Sequence, residues 1–215
     1  MCGQVPHALL SAAHTSGMTT WLTSDTHWSH RNIITLGPGR PFSSIEEHDE
    51  ALIEAWNAVV RPDDTVIHLG DVSLSVTAME RVLPRLRGRK ELYAGNHDGC
   101  WTATPSTSGA RRAPNLVRRY LAAGFDRVHH TGQGFGSVAG IPVMFAHLPS
   151  HGDHYTDERY PDQRPTPGSL PLVCGHVHHA WTTHGRQVNV GVDRWGYAPV
   201  HEDAVATLLR ALPEG

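Results

Sequence analysis

The chain has 215 residues, enough for one domain, and its 39% hydrophobic composition can fill a sizeable core. A formal charge of −3 excludes a protein whose main task is gripping nucleic-acid backbone, and the short basic clusters (Arg85, Arg87, Arg89, Lys90; Arg111, Arg112; Arg118, Arg119) read as solvated faces. No run approaches the ~18 consecutive apolar residues of a membrane span. The N-terminus lacks the pattern of a secretory signal, and the three cysteines contain no CxxC and cannot all pair, so a reducing, cytoplasmic setting is expected.

Residues 1–17 read as a disordered extension, with Met18 a candidate start beside Met1, and 18–215 as a single domain. From there short β-type runs alternate with helical ones. "TTWLTSD" (19–25) is a strand running into a polar loop. Residues 43–60 form a helix: Ser43 and Ser44 each have a glutamate three positions on, and Ile45, Leu52, Trp56 and Val59 share a face. "TVIHLGD" (65–71) is the next strand, followed by a helical stretch at 76–87 that Pro84 shortens or kinks. "ELYAGNHD" (91–98) is a third strand, a linker covers 102–114, and a helix over 115–124 stops at Gly124. Strands follow at 127–131, 137–147 (with a turn at Ala139-Gly140), 170–176 and 186–193, and an amphipathic helix closes the chain over 202–212. The intervening 148–169 is a long proline-containing loop, of the length that tends to be functional or disordered.

This alternation predicts an α/β layered fold, and polar residues recur where its strands end. The chain also carries 17 histidines against 18 lysines plus arginines, a composition that leans toward metal binding. "CGHVHHAW" (174–181) concentrates the question, because three imidazoles in four positions are costly to bury neutral and repel one another when charged. Residues i and i+2 of an extended segment point the same way, so His176 and His178 aim together. Taken singly the other segments have plain readings: Asp25-Thr26-His27 as a cap, Gly70-Asp71 and "GNHD" (95–98) as turns, His147 as a hydrogen-bonded core histidine.

Taken in order, the series DxH, GD, GNHD, H, GHxH resembles the calcineurin-like metallophosphoesterase superfamily from about Trp21 to His178. "SDTHWSHRNII" (24–34) and "NVGVDRWGYAPV" (189–200) further resemble its small bacterial and phage-type members, which lack a cap domain. The resemblance implies a two-sheet αββα sandwich and two metal ions about 3.5–4 Å apart. It assigns Asp25, His27 and His178 to the first ion, Asn96, His147 and His176 to the second, and Asp71 to both. The mixed imidazole and carboxylate set suits Mn, Fe, Zn or Ni. A hydroxide bridging the ions would attack phosphorus in line, with His97 as general acid and Asp98 orienting it. His179 is left over as an outer or structural residue.

The substrate side is less specified. Trp28, His30, Arg31 and Asn32 follow the first motif and are expected to border the metals, with Arg31 pairing either a phosphate oxygen or a surface acid. In the long loop His151, Asp153, His154 and Tyr155 either line the pocket or sit in solvent. Arg194, Trp195 and Tyr197 form either an aromatic wall or core packing. A small phosphorylated or nucleotide substrate follows, with no membrane partner and no strong nucleic-acid footprint. Because capless relatives tend to leave an open site, a phosphodiesterase on small or cyclic nucleotides is the first expectation, ahead of a phosphomonoesterase or pyrophosphatase. A non-catalytic metal-binding scaffold is the alternative from another class; the filled ligand positions and His97 weigh against it.

Overall fold

The computed structural model describes residues 17–103, 107–154 and 156–214, and of 107–112 the backbone only. The extension expected at 1–17 falls, apart from Gly17, outside the described residues.

Two five-stranded sheets make up the fold. The first runs β10-β1-β2-β3-β4, from β1 (Thr20–Thr23), β2 (Thr65–His68), β3 (Arg89–Tyr93), β4 (Arg127–His129) and β10 (Val200–His201). Its members are parallel except β10, which pairs antiparallel with β1. The second runs β5-β6-β7-β9-β8, from β5 (Gln133–Val138), β6 (Ile141–Ala146), β7 (Leu172–Cys174), β8 (Thr183–His184) and β9 (Gln187–Asn189). Its inner strands β6, β7 and β9 are parallel. The α/β two-sheet sandwich expected from the sequence is thus the observed fold.

The first sheet packs apolar side chains on both of its faces. Trp21, Val66 and Leu92 point to one side, into a cluster with Leu52, Trp56, Met79 and Tyr120 from α1 (Ile45–Val59), α2 (Val76–Val82) and α3 (Thr107–Ala123). Leu22 and Tyr93, one residue along in their strands, join Val143, Phe145, Val173 and Val188 of the second sheet. The last helix, α4 (Glu202–Arg210), adds Val205 and Leu209 to that inter-sheet core. Its Glu202 accepts from Thr20 N at 3.2 Å and Ala139 N at 2.9 Å, tying both sheets together.

Helix α1 starts as its capping signal predicts: the Ser44 side chain accepts from Glu47 N, and Glu47 reaches back to Ser43 N at 2.7 Å. Helix α2 gives way to a 3-10 turn, Leu83–Arg85, around Pro84. Two expectations need correction. Helix α3 begins at Thr107 rather than 115, continuing through Pro114, because Pro removes a single backbone bond while Leu116, Val117 and Tyr120 pack on the core. The run 186–193 is not all strand: after β9 only a bridge between Ser24 and Gly191 continues, and Val192–Arg194 coils into a 3-10 turn.

The Phe145 ring is 2% exposed between the sheets. Phe145→Ala is expected to lower unfolding free energy by about 3–5 kcal/mol, read as a shifted midpoint in chemical denaturation.

Candidate metal centre

The parallel strands of both sheets end at one edge, and the chain leaves each end in a tight turn. Nine non-glycine residues among those described have positive φ, and they include Asp25 (58°), His27 (51°), Asp71 (56°), His176 (72°) and His178 (49°). Left-handed backbone at such residues costs about 1–3 kcal/mol each and concentrates at functional sites. Backbone bonds stitch the turns together: Asp25 N to Gly70 O, His27 N to Asp71 O and Val192 N to Ser24 O, all at 3.0–3.1 Å. Gly95 is needed for the approach, since a Cβ there would overlap Asp71 Oδ1 and reach within 2.9 Å of His147 Cε1.

Among the described residues, three groups of side chains could hold a metal ion: Asp25, His27 and His178; Asp25, Asp71 and His147; Asp153, His154 and His176. Within each group the ligand atoms lie within 4.8 Å of one another. The first group is the one expected for the first ion. Asp71 stands between the sets, with Oδ2 3.5 Å from His27 Nε2 and Oδ1 3.4 Å from His147 Nε2. His147 Nδ1 donates to Leu69 O at 2.7 Å, so its Nε2 faces Asp71 and, at 3.1 Å, Asn96 Oδ1. A nitrogen and two oxygens converging there are reconciled by a proton or by a cation. Both ring nitrogens of His27 and Nδ2 of Asn96 are buried without a hydrogen-bond partner. Buried orphans of this kind call for an explanation, and a bound ion supplies one for the His27 imidazole.

The electrostatics agree. Burial holds the His27 imidazole well below its ordinary pKa, which leaves it neutral and able to ligate. Burial opposes charge on His147 and Asp71 as well, but their mutual attraction outweighs it. His147 rises to about 9, and the Asp71 carboxyl falls well below its usual range.

His178 and His176 are each held by a carboxylate that an arginine backs. His178 Nδ1 meets Asp193 Oδ2 at 3.1 Å, and Asp193 accepts from Arg40 Nε at 2.9 Å and Nη2 at 2.8 Å. Arg40 is 4% exposed and also donates to Asp25 O and Thr26 O. His176 Nε2 lies 3.3 Å from Asp153 Oδ2, which accepts from Arg164 Nη2. At His178 the carboxylate meets Nδ1, an arrangement that fixes ring orientation at metal sites. At His176 it meets Nε2, which Arg159 Nη2 also approaches at 3.2 Å, so Asp153 stands there as a candidate fellow ligand.

His97 and His30 line the resulting cleft, with His97 Nε2 4.0 Å from Asp71 Oδ2. His179 lines it too and packs against Gly37. Other expectations give way. Asp98 does not orient His97: its carboxylate accepts from Asp71 N, Val72 N and Gly95 N at 2.8–3.0 Å and from the Tyr120 hydroxyl at 3.3 Å. Arg31 and Asn32 are exposed, because the 3-10 turn Arg31–Ile34 turns Ile33 inward; Arg31 lines a separate groove with Glu46 and Glu50. His151 is exposed against the His184 ring, 4.9 Å away, outside the cleft. Trp28 is buried with Trp56 in the core, and Trp195 is buried with its Nε1 donating to Asn189 O, so Trp195 is core packing; Tyr197 does line the cleft. Tyr155 lies outside the described residues.

Arg40, Arg159, Arg164 and Asp193 were not singled out from the sequence. Asp193 sits in the quoted "NVGVDRWGYAPV", where an acid beside a suspected site was the available signal; "GPGR" around Arg40 offered none.

No family model matches the chain. It is 34% identical to the Gene 66 protein of Mycobacterium phage L5 over 209 residues, covering 91% of this chain and 96% of the phage protein. The Gene 66 protein of Mycobacterium phage D29 is 32% identical over 215 residues, covering 91% and 98%. Among solved structures, a protein of unknown function from Aquifex aeolicus superposes with a TM-score of 0.65 at 25% identity, covering 89% of this chain and all of that one.

Asp193→Asn removes the charge that pairs with both Arg40 and His178. It is expected to weaken Mn²⁺ binding by about 10–100-fold in calorimetric titration. It should also destabilise the fold by about 3–5 kcal/mol, because the Arg40 charge is left buried and unpaired.

Proposed function

We propose that this chain, which belongs to the family of the mycobacteriophage Gene 66 proteins, is a metal-dependent phosphoric ester hydrolase of the calcineurin-like metallophosphoesterase kind. Within that class we read it as a phosphodiesterase for small or cyclic nucleotides. One observation carries the reading: Asp25, His27, Asp71, Asn96, His147, His176 and His178, leaving five separate strand ends, gather at one edge with the His97 imidazole beside Asp71.

Two ions of the Mn, Fe, Zn or Ni type, when bound, would supply Lewis acidity toward phosphoryl oxygens and an acidified water. The remaining work falls to the chain. Asp71 serves both halves of the centre, its two oxygens turned to His27 and His147. His97 is the proton donor for the leaving alkoxide. Its backbone N–H on Asp71 Oδ1 at 2.9 Å sets its position, and its side chain, 39% exposed, reaches the open cleft. A centre that only stored metal would have no use for such a donor.

The cleft supports the substrate class. It encloses about 270 Å³, and its lining includes Ile33, Leu36 and Tyr197 besides the imidazoles, apolar surface suited to a planar ring on the ester.

The test is hydrolysis of a chromogenic phosphodiester and the matching monoester by chelator-treated protein with Mn²⁺, Ni²⁺, Zn²⁺ or Mg²⁺ returned. Metal-restored turnover of the diester, abolished in Asp71→Asn, is expected; preference for the monoester would move the activity to a phosphomonoesterase. Two bound ions with no turnover of either ester would sink the enzyme reading. His97→Gln is expected to lower kcat for the diester by about 10²–10⁴-fold while metal content stays that of the wild type.

A further inference from the structure

The long loop 148–169 is built around one arginine. Arg164 donates from Nε to Arg159 O and from Nη1 to Pro149 O, both at 3.0 Å, and from Nη2 to Asp153 Oδ2. The side chains of this pair are 6% and 0% exposed. Asp153 Oδ2 also accepts from Arg159 N at 3.2 Å, and Glu158 accepts from Gly152 N at 2.8 Å. Trp181 Nε1 donates to Gly152 O at 2.7 Å, anchoring the loop to the segment after His178. A stretch with almost no regular structure is therefore cross-braced, and what it braces is the backbone of Arg159.

The Arg159 side chain lines the cleft and turns onto the candidate ligands. Its Nη2 lies 3.2 Å from His176 Nε2 and 3.5 Å from His154 Nε2. Asp153 Oδ2 lies 3.3 Å from the same His176 Nε2, and a guanidinium has donors only, so it can engage that nitrogen only through its lone pair. A metal ion on His176 Nε2 would take that same lone pair. The guanidinium then stands beside a cation, held there by its braced backbone, with Nη2 turned from the imidazole toward the cleft. An anionic oxygen pair between the two positive charges satisfies both, and a planar fork of N–H groups matches two oxygens of a phosphoryl group. The other arginine of the cleft cannot take this part: Arg40 is buried, and its donors go to Asp25 O, Thr26 O, His48 and Asp193.

We infer that Arg159 is a substrate-binding residue that grips the non-bridging oxygens of the substrate phosphate, and that the Asp153–Arg164 brace positions it. The inference rests on the phosphoester reading of the same cleft, and it takes the role that the sequence suggested for Arg31.

Inorganic phosphate titrated calorimetrically into the Mn²⁺-loaded full chain tests it without requiring turnover. Arg159→Ala is expected to weaken phosphate binding by at least about tenfold, with Arg159→Lys between it and wild type and Mn²⁺ affinity undiminished in both. Phosphate affinity unchanged in Arg159→Ala at equal Mn²⁺ occupancy, or no phosphate binding by the wild type, would overturn it. Diester kinetics separate the two readings. If the wild type turns the diester over and Arg159→Ala leaves KM and kcat untouched, the grip is wrong and the hydrolase stands. If the wild type hydrolyses nothing yet binds phosphate through Arg159, the hydrolase reading falls and the anion site stands.

Discussion

A single carboxylate, that of Asp98, holds together the part of the molecule on which everything else at the strand edge depends. It accepts backbone N–H bonds from Asp71, Val72 and Gly95 and a hydroxyl bond from Tyr120. Two parallel strand ends and one helix are thereby pinned to a group that is 4% exposed. Asp71 needs such a fastening, because its left-handed backbone is unfavourable unless its surroundings over-determine it. From Asp71 the arrangement spreads outward: its carboxylate faces His27 and His147, its N–H is spent on Asp98, and its carbonyl receives the N–H of His27.

His176 and His178 of "CGHVHH" show how much a candidate site depends on what stands behind it. His178 leans on Asp193 and Arg40, which come from a turn after β9 and from the loop before α1. His176 leans on Asp153 and Arg164, both from the long loop. In each case the carboxylate is nearly sequestered, and Arg40 holds Asp193 well below its usual pKa against the opposing effect of burial. The charge of each imidazole's neighbour is thus fixed before any ion arrives. Both pairs are closely buried, and the difference lies in what carries them: Asp153 and Arg164 belong to the loop that also brings His154 and Arg159 to the cleft. One histidine is tied to the fold and the other to the loop that lines the cleft.

This division is compatible with the proposed phosphoester hydrolysis. Polar chemistry is concentrated on the ends of parallel strands, while Ile33, Leu36 and Tyr197 on intervening turns line the same cleft. The candidate ligands are placed by the sheets, and on the proposed reading selectivity is left to segments that can vary without disturbing them.

The sequence by itself determined the architecture and a candidate ligand set. Short β-type runs marked the strands around Trp21, Val66 and Leu92; Ser44 and Glu47 marked the start of α1; and the five spaced motifs pointed to Asp25 through His178 as candidates. Those signals are local, carried by residues that share a turn, a strand or a helix face. What only the tertiary structure decided is what stands behind and beside the ligands. Arg40 and Asp193 are 153 positions apart, and Arg159 reaches a histidine 17 positions on, so no periodicity or motif could join them. Arg31 failed as a site residue for the opposite reason. It adjoins the first motif in sequence, but a 3-10 turn buries Ile33 and carries Arg31 to the far side. Asp98, next to His97 in the chain, likewise turns inward to the backbone of a neighbouring strand end, where burial and three N–H groups hold it. Adjacency in sequence fixes distance along the chain, but direction is set by the packing around it.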